Sequence, residues 1–202
     1  MLSETETSRI AEAIRAAEQG TSGEIFCIVT EAVSGYRLVP FAWAAAFALL
    51  VPWPLVALTT WTATTVYLLQ LFSFALVAVI LSRPGLRYAI VPGRTKRALV
   101  ASEAARQFRA KGLDATHGRS VVLIFAARKE GMAAVVADAG IGQKVGPEVW
   151  QPVRETVEAG LKDDRIADGL VAGISACGSI LAAHCPPSAV PRDEIPNRVV
   201  EI

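Results

Sequence analysis

Glu24 and Asp138 are the acidic side chains whose places in the chain suggest shared chemistry. Glu24 precedes the apolar run Ile25–Val29, and Asp138 follows Met132–Ala137. Between them, His117 and Arg119 precede a third apolar run, Val121–Phe125. If the runs starting at Ile25 and Val121 are parallel strands and the one from Met132 turns back, all four residues meet at one sheet edge. Two carboxylates there could hold a hard divalent cation such as calcium or magnesium, with water completing the shell. The competing reading is a salt-bridged surface cluster, because Arg119 can neutralise one carboxylate.

Other spacings carry less. Gly140-Ile-Gly142-Gln-Lys-Val-Gly146 follows a strand and precedes a helix, as a phosphate loop does. Its glycines are spaced GxGxxxG rather than GxGxxG, and no Lys-Ser/Thr pair follows, so a strand-to-helix turn accounts for it. His117 and His184 have no Cys, Asp or Glu at ligand spacing. Cys27, Cys177 and Cys185 lie in apolar runs without a CxxC pair, which reads as three buried thiols. Asp163 and Asp164 read as helix caps. No nucleophile–base pair emerges, so no catalytic residue is assigned and no cofactor is expected beyond the divalent cation.

The elements that must position these residues follow from periodicity. Ser3-x-x-Glu6 is a capping box opening a helix with Ile10, Ala11, Ile14 and Ala17 on one face, ended near Gly20. Ile25–Val29 and Val121–Phe125 are apolar throughout, as strands buried on both faces are. Leu99, Val100, Ala104 and Phe108 mark a helix closed by Gly112. Arg128-Lys-Glu-Gly131 makes a hairpin turn into Met132–Ala137. Val149, Trp150, Val153 and Val157 mark a further helix that Pro152 could break. A last helix carries Ile166, Leu170, Ile174, Cys177 and Leu181, stopped by Pro186-Pro187. Residues 188–202 show no periodicity and read as a disordered tail.

One stretch stands apart. Leu38–Ser82 spans 45 residues without Asp, Glu, Lys or Arg, although the chain holds 39 such residues among 202. A membrane helix needs about 20 apolar residues, so this run fits two, at about 40–58 and 65–82. The threonines from Thr59 to Thr65 form the turn, and Pro52 and Pro54 kink the first helix. Arg37 before the run and Arg83 and Arg87 after it, with no cation in the turn, place both flanks and both termini in the cytoplasm. A formal net charge of +1 gives no basis for nucleic-acid binding.

With these segments in place, the chain resembles the TPM domain family, in the bacterial branch whose domain is split by a membrane hairpin. The resemblance rests on "TSGEIFCIVTEAV", "AARQFRAKGLDATHGRSVVLIFAARKEGMAAVVADAGIGQKV" and "GLVAGISACGSILAAHCPP", and covers roughly 1–33 and 93–187. It implies a three-layer α/β/α sandwich in two parts, 1–34 and 93–187, interrupted by the hairpin at 38–82. Relatives include acid phosphatases, metal-binding folds, and factors of photosystem repair or receptor assembly. The expectation is therefore a bacterial inner-membrane protein whose cytoplasmic domain binds or assembles a partner. That partner is the bilayer together with another membrane protein. The alternative is a metal-dependent, acid-phosphatase-like hydrolase.

Overall fold

The computed structural model describes residues 2–115, 120–187 and 196–202. It divides into two compact units, one formed by Met1–Val33 with Lys96–Ile202 and the other by Ser34–Thr95.

The first unit begins with α1 (Glu4–Glu18), whose capping box forms as expected: Glu6 N–H donates to Ser3 Oγ at 3.2 Å and Ser3 N–H to Glu6 Oε2 at 2.8 Å. β1 (Glu24–Thr30) follows, then α6 (Gly93–Ala110), which belongs to this unit from Lys96 onward, β2 (Val121–Ala127) and β3 (Met132–Ala137). The short α7 (Ala139–Gly142) leads to α8 (Gln151–Lys162), α9 (Ile166–His184) and β4 (Val199–Glu201). The sheet order is β3-β2-β1-β4. β1 is parallel to β2 and to β4, while β2 and β3 are antiparallel. Gly131 closes the β2–β3 turn at φ +62, a left-handed conformation that glycine adopts without steric penalty.

Alternation along the strands feeds two cores. Ile25, Cys27, Val29, Val122 and Ile124 pack with Ile10, Ile14, Val153, Val157, Leu170 and Ile174 of α1, α8 and α9. Phe26, Ile28, Leu123 and Phe125 pack with Val100, Ala104 and Phe108 of α6. Helices thus cover both faces, which explains why β1 and β2 are apolar at nearly every position. Each fully buried Ile, Leu or Phe contributes about 1.5–3 kcal/mol of burial.

Three local expectations are corrected. Pro152 opens α8 within its first turn rather than breaking it, where its missing N–H has no helical partner to lose. Asp164 does not cap the last helix: it sits at φ +55, Arg165 occupies the N-cap, and Asp164 pairs with Arg128 at 3.1 Å. Asp163 instead ends α8. The expected tail is not wholly irregular either, because Val199–Glu201 forms β4 along β1; residues 188–195 lie outside the described residues. β4 pairs with Cys27–Val29 of β1, and the Ile202 N–H donates to the Val29 carbonyl at 3.0 Å, so this part of the second edge of buried β1 is hydrogen-bonded.

The second unit contains α2 (Val39–Leu50), α3 (Pro52–Leu58), α4 (Ala63–Leu81) and α5 (Pro84–Ala89). The expected proline kink appears as the division between α2 and α3, with Pro52 at the first position of α3. After Thr59–Thr62 the chain returns as α4, capped by Thr62, and α4 packs along α2. Ala44 and Ala48 of α2 are buried. Small residues one turn apart let two helices approach closely. Most other large side chains of this unit are exposed, including Trp53 at 79% and Leu58 at 82%.

Candidate functional site

The sheet register aligns the two candidate carboxylates. Glu24 is the register partner of Val121, and Asp138 donates its backbone N–H to the Val121 carbonyl at 2.9 Å. Glu24, Val121 and Asp138 thus form one row across β1, β2 and the end of β3. Strands lie about 4.8 Å apart, so the two acidic Cα atoms are separated by about 10 Å. The pleat assigns both to the face covered by α6, since Phe26, Val121 and Val136 of the same parity lie in that core.

Their environments differ. Glu24 is half-buried, while Asp138 is 5% exposed. Asp138 Oδ1 accepts the Ala139 N–H and caps α7, whereas Oδ2 is buried without a hydrogen bond among the described residues. A buried carboxylate oxygen left without a donor is costly and invites a cation, water or proton. His117 and Arg119, the other residues expected here, lie outside the described residues. Among the described residues no three His, Cys, Asp or Glu side chains converge on one point. Two carboxylates alone fall short of the six to eight oxygens calcium takes, so they do not make a protein-built cage.

The opposite end of the sheet holds a cavity of about 200 Å³ beside Val29, Glu31, Arg128, Ile166 and Glu201. It is smaller than most small-molecule sites, and ion pairs flank it: Arg128–Asp164 at 3.1 Å and Lys129–Glu31 at 3.2 Å. The three cysteines are free and buried. Burial pushes the Cys177 thiol up to about 12 and raises Cys27 further, the neighbouring sulfur and Glu18 adding to the effect on Cys27. Neither is a thiolate nucleophile near neutral pH.

Two further acids, not predicted from the sequence, are buried in the fold. Glu158, 7% exposed on α8, accepts from Arg97 at 3.1 Å and 3.4 Å and from the Ala133 N–H at 3.3 Å. Glu130, in the hairpin turn, accepts the Val33 N–H at 3.1 Å and is 5% exposed. Glu158 thereby satisfies an edge-strand donor that would otherwise be buried and unpaired. Its signal was available: it follows Val157 and precedes Leu161 by three residues, on the apolar stripe of α8.

Arg37, Arg83 and Arg87 fall in the second unit, before α2 and after α4. Val39–Leu58 and Ala63–Leu81 are long and apolar enough to cross a membrane, and so is Ile166–His184. The third differs in burial: half of it is enclosed in its unit, against 11% for each of the others.

The fold therefore defines a mixed α/β domain with a four-stranded sheet, interrupted in sequence by a pair of apolar helices. No protein-family profile matches the chain, and no curated protein matches it in sequence. A solved structure is similar: the NMR structure of the BA42 protein from the psychrophilic bacterium Bizionia argentinensis. The two are 21% identical with a TM-score of 0.61, over 100% of this chain and 95% of that one. This likeness concerns the fold alone.

Proposed function

We propose that the protein is a membrane-anchored TPM-type domain of the bacterial inner membrane. Its three-layer α/β/α sandwich sits at the cytoplasmic face as a binding or assembly module, and a transmembrane hairpin holds it there. The observation that carries this reading is the exposed apolar surface of α2, α3 and α4. Trp53, Val56, Leu58, Phe72 and Val79 are each more than 60% exposed on helices long enough to cross a bilayer. An apolar surface of that extent calls for lipid or another apolar partner. The apolar α9 has no such demand, because its Leu170, Ile174, Cys177 and Leu181 are buried in the core with α1, α8 and the sheet.

Reporter fusions at Met1 and after Ile202 test the topology. Both should be active in the cytoplasm and silent outside it; a periplasmic signal from one end alone rejects the two-span reading, and periplasmic signals from both ends reject the cytoplasmic orientation. Affinity purification from solubilised membranes tests the module. Recovery of a stoichiometric membrane-protein partner supports it, whereas no partner together with robust turnover of a small substrate rejects it.

A second reading, a metal-dependent phosphatase-like hydrolase, is favoured by the buried Oδ2 of Asp138 in the same row as Glu24. Phosphomonoester hydrolysis that is lost with chelator and in Asp138→Asn supports it. Absence of turnover with a panel of divalent ions removes it.

A further inference from the structure

We infer that the second unit carries a binding collar for the phosphate headgroups of anionic phospholipids, formed by Arg37, Arg83, Arg87 and Arg94. This rests on the membrane reading above and assigns its lipid chemistry. Residues 34–95 contain these four arginines and no Asp, Glu, Lys or His, so the unit's entire charge is +4. The helix pair gathers that charge at one end. Arg37 precedes α2 by two residues, Arg83 follows the end of α4 by two residues, Arg87 lies within α5, and Arg94 is in the first turn of α6. The opposite end, Thr59–Thr62, has no charge at all. Among the described residues none of the four arginines has an ion-pair partner.

The collar is structured rather than a loose basic string. Tyr36 and Tyr88 meet edge to face at 5.6 Å between ring centroids. Tyr88 donates its hydroxyl to the Ser34 carbonyl at 3.3 Å, and the Arg87 guanidinium lies 5.5 Å from the Tyr88 ring. Tyr36 is 7% exposed and held at φ +45, a backbone conformation unfavourable for a side chain of its size. Arg87 Nε is buried with no hydrogen bond among the described residues. Tyrosine suits the headgroup level of a bilayer, and guanidinium forks match phosphate oxygens two at a time. Basic residues set against a transmembrane helix recognise anionic headgroups through this chemistry.

The test uses the full chain reconstituted in phosphatidylcholine vesicles containing a minor fraction of phosphatidylglycerol. Trp53→Phe and Trp61→Phe leave Trp43, near the collar end, as the lipid-facing tryptophan. Quenching of Trp43 by brominated phosphatidylcholine reports insertion, and the excess quenching by brominated phosphatidylglycerol reports selectivity. We expect several-fold enrichment of phosphatidylglycerol at low salt, falling stepwise toward no preference as the arginines at positions 83, 87 and 94 are replaced by glutamine. High salt should erode the same preference in the unsubstituted collar, so the outcome does not hang on variants that insert poorly. Quenching by the two brominated lipids in proportion to their mole fractions, or a preference indifferent to salt, overturns the collar while leaving membrane insertion intact. No quenching by either lipid overturns insertion itself.

Discussion

Gly160 and Gly169 meet backbone to backbone where α8 and α9 cross. A methyl group on Gly160 would lie 2.5 Å from the Gly169 α-carbon and 2.9 Å from the Arg165 carbonyl oxygen. Neither neighbour is a flexible side-chain end, so the helices themselves must separate. Gly160→Ala should destabilise the protein by about 2–3 kcal/mol, as overpacking a closed interface does. Denaturant unfolding of the first unit measures it. A change below about 0.5 kcal/mol would show that the crossing is looser than this contact requires.

Arg97 and Glu158 offer a second test. Glu158→Ala leaves the Ala133 N–H without an acceptor at the sheet edge and should cost about 1–3 kcal/mol. Glu158→Gln keeps an acceptor and should cost less. Arg97 is about half exposed, so Arg97→Met alone should cost less than about 1 kcal/mol. A double-mutant cycle separates the ion pair from the backbone hydrogen bond. If Gln and Ala at position 158 are equally damaging, charge rather than edge satisfaction dominates.

The buried thiols predict a pH dependence. Burial raises both Cys27 and Cys177 above the ordinary thiol range, so the folded chain retains protons that the unfolded chain releases. Their effect is absent below the unfolded thiol value of about 8.5 and destabilises progressively as pH rises above it. Across that window, stability should fall by up to about 1.4 kcal/mol per pH unit for each thiol. Cys27→Ala/Cys177→Ala variants should flatten the alkaline limb. Under native conditions both thiols should resist a soluble alkylating reagent, and rapid labelling at neutral pH would contradict their enclosure.

Replacing Gly35–Pro92 by a short flexible linker should yield a soluble, cooperatively folding protein. The sheet and both cores lie within Met1–Val33 and Lys96–Ile202, and β1 pairs with β2 across all seven residues. Closure entropy grows only slowly with linker length, so several linkers should serve. Circular dichroism should stay mixed α/β with a single unfolding transition. Aggregation or dye binding typical of a loosely packed state, with every linker tried, would falsify the independence of this unit.

How much was legible depended on the range of the interaction that decided each feature. The α1 capping box, the apolar strands and the β2–β3 turn follow from local chain chemistry, because Ser3, Glu6 and Gly131 act within a few residues of themselves. The chargeless run from Leu38 to Ser82 was equally plain, and its prolines divided α2 from α3 where expected. Tertiary structure decided the rest. Val199–Glu201 is too short to display a period and is a strand because β1 needed a partner. Asp164 resembled a cap but bonds Arg128, thirty-six residues away. α9 is as apolar as a membrane helix, yet Gly169 and Gly173 press it against α8 and Gly178 against Ala17 of α1. Glu24 and Asp138 share a row only because two strand registers compose through Val121. Apolar composition records that a surface must leave water; which surface receives it is fixed by packing between segments far apart in the chain.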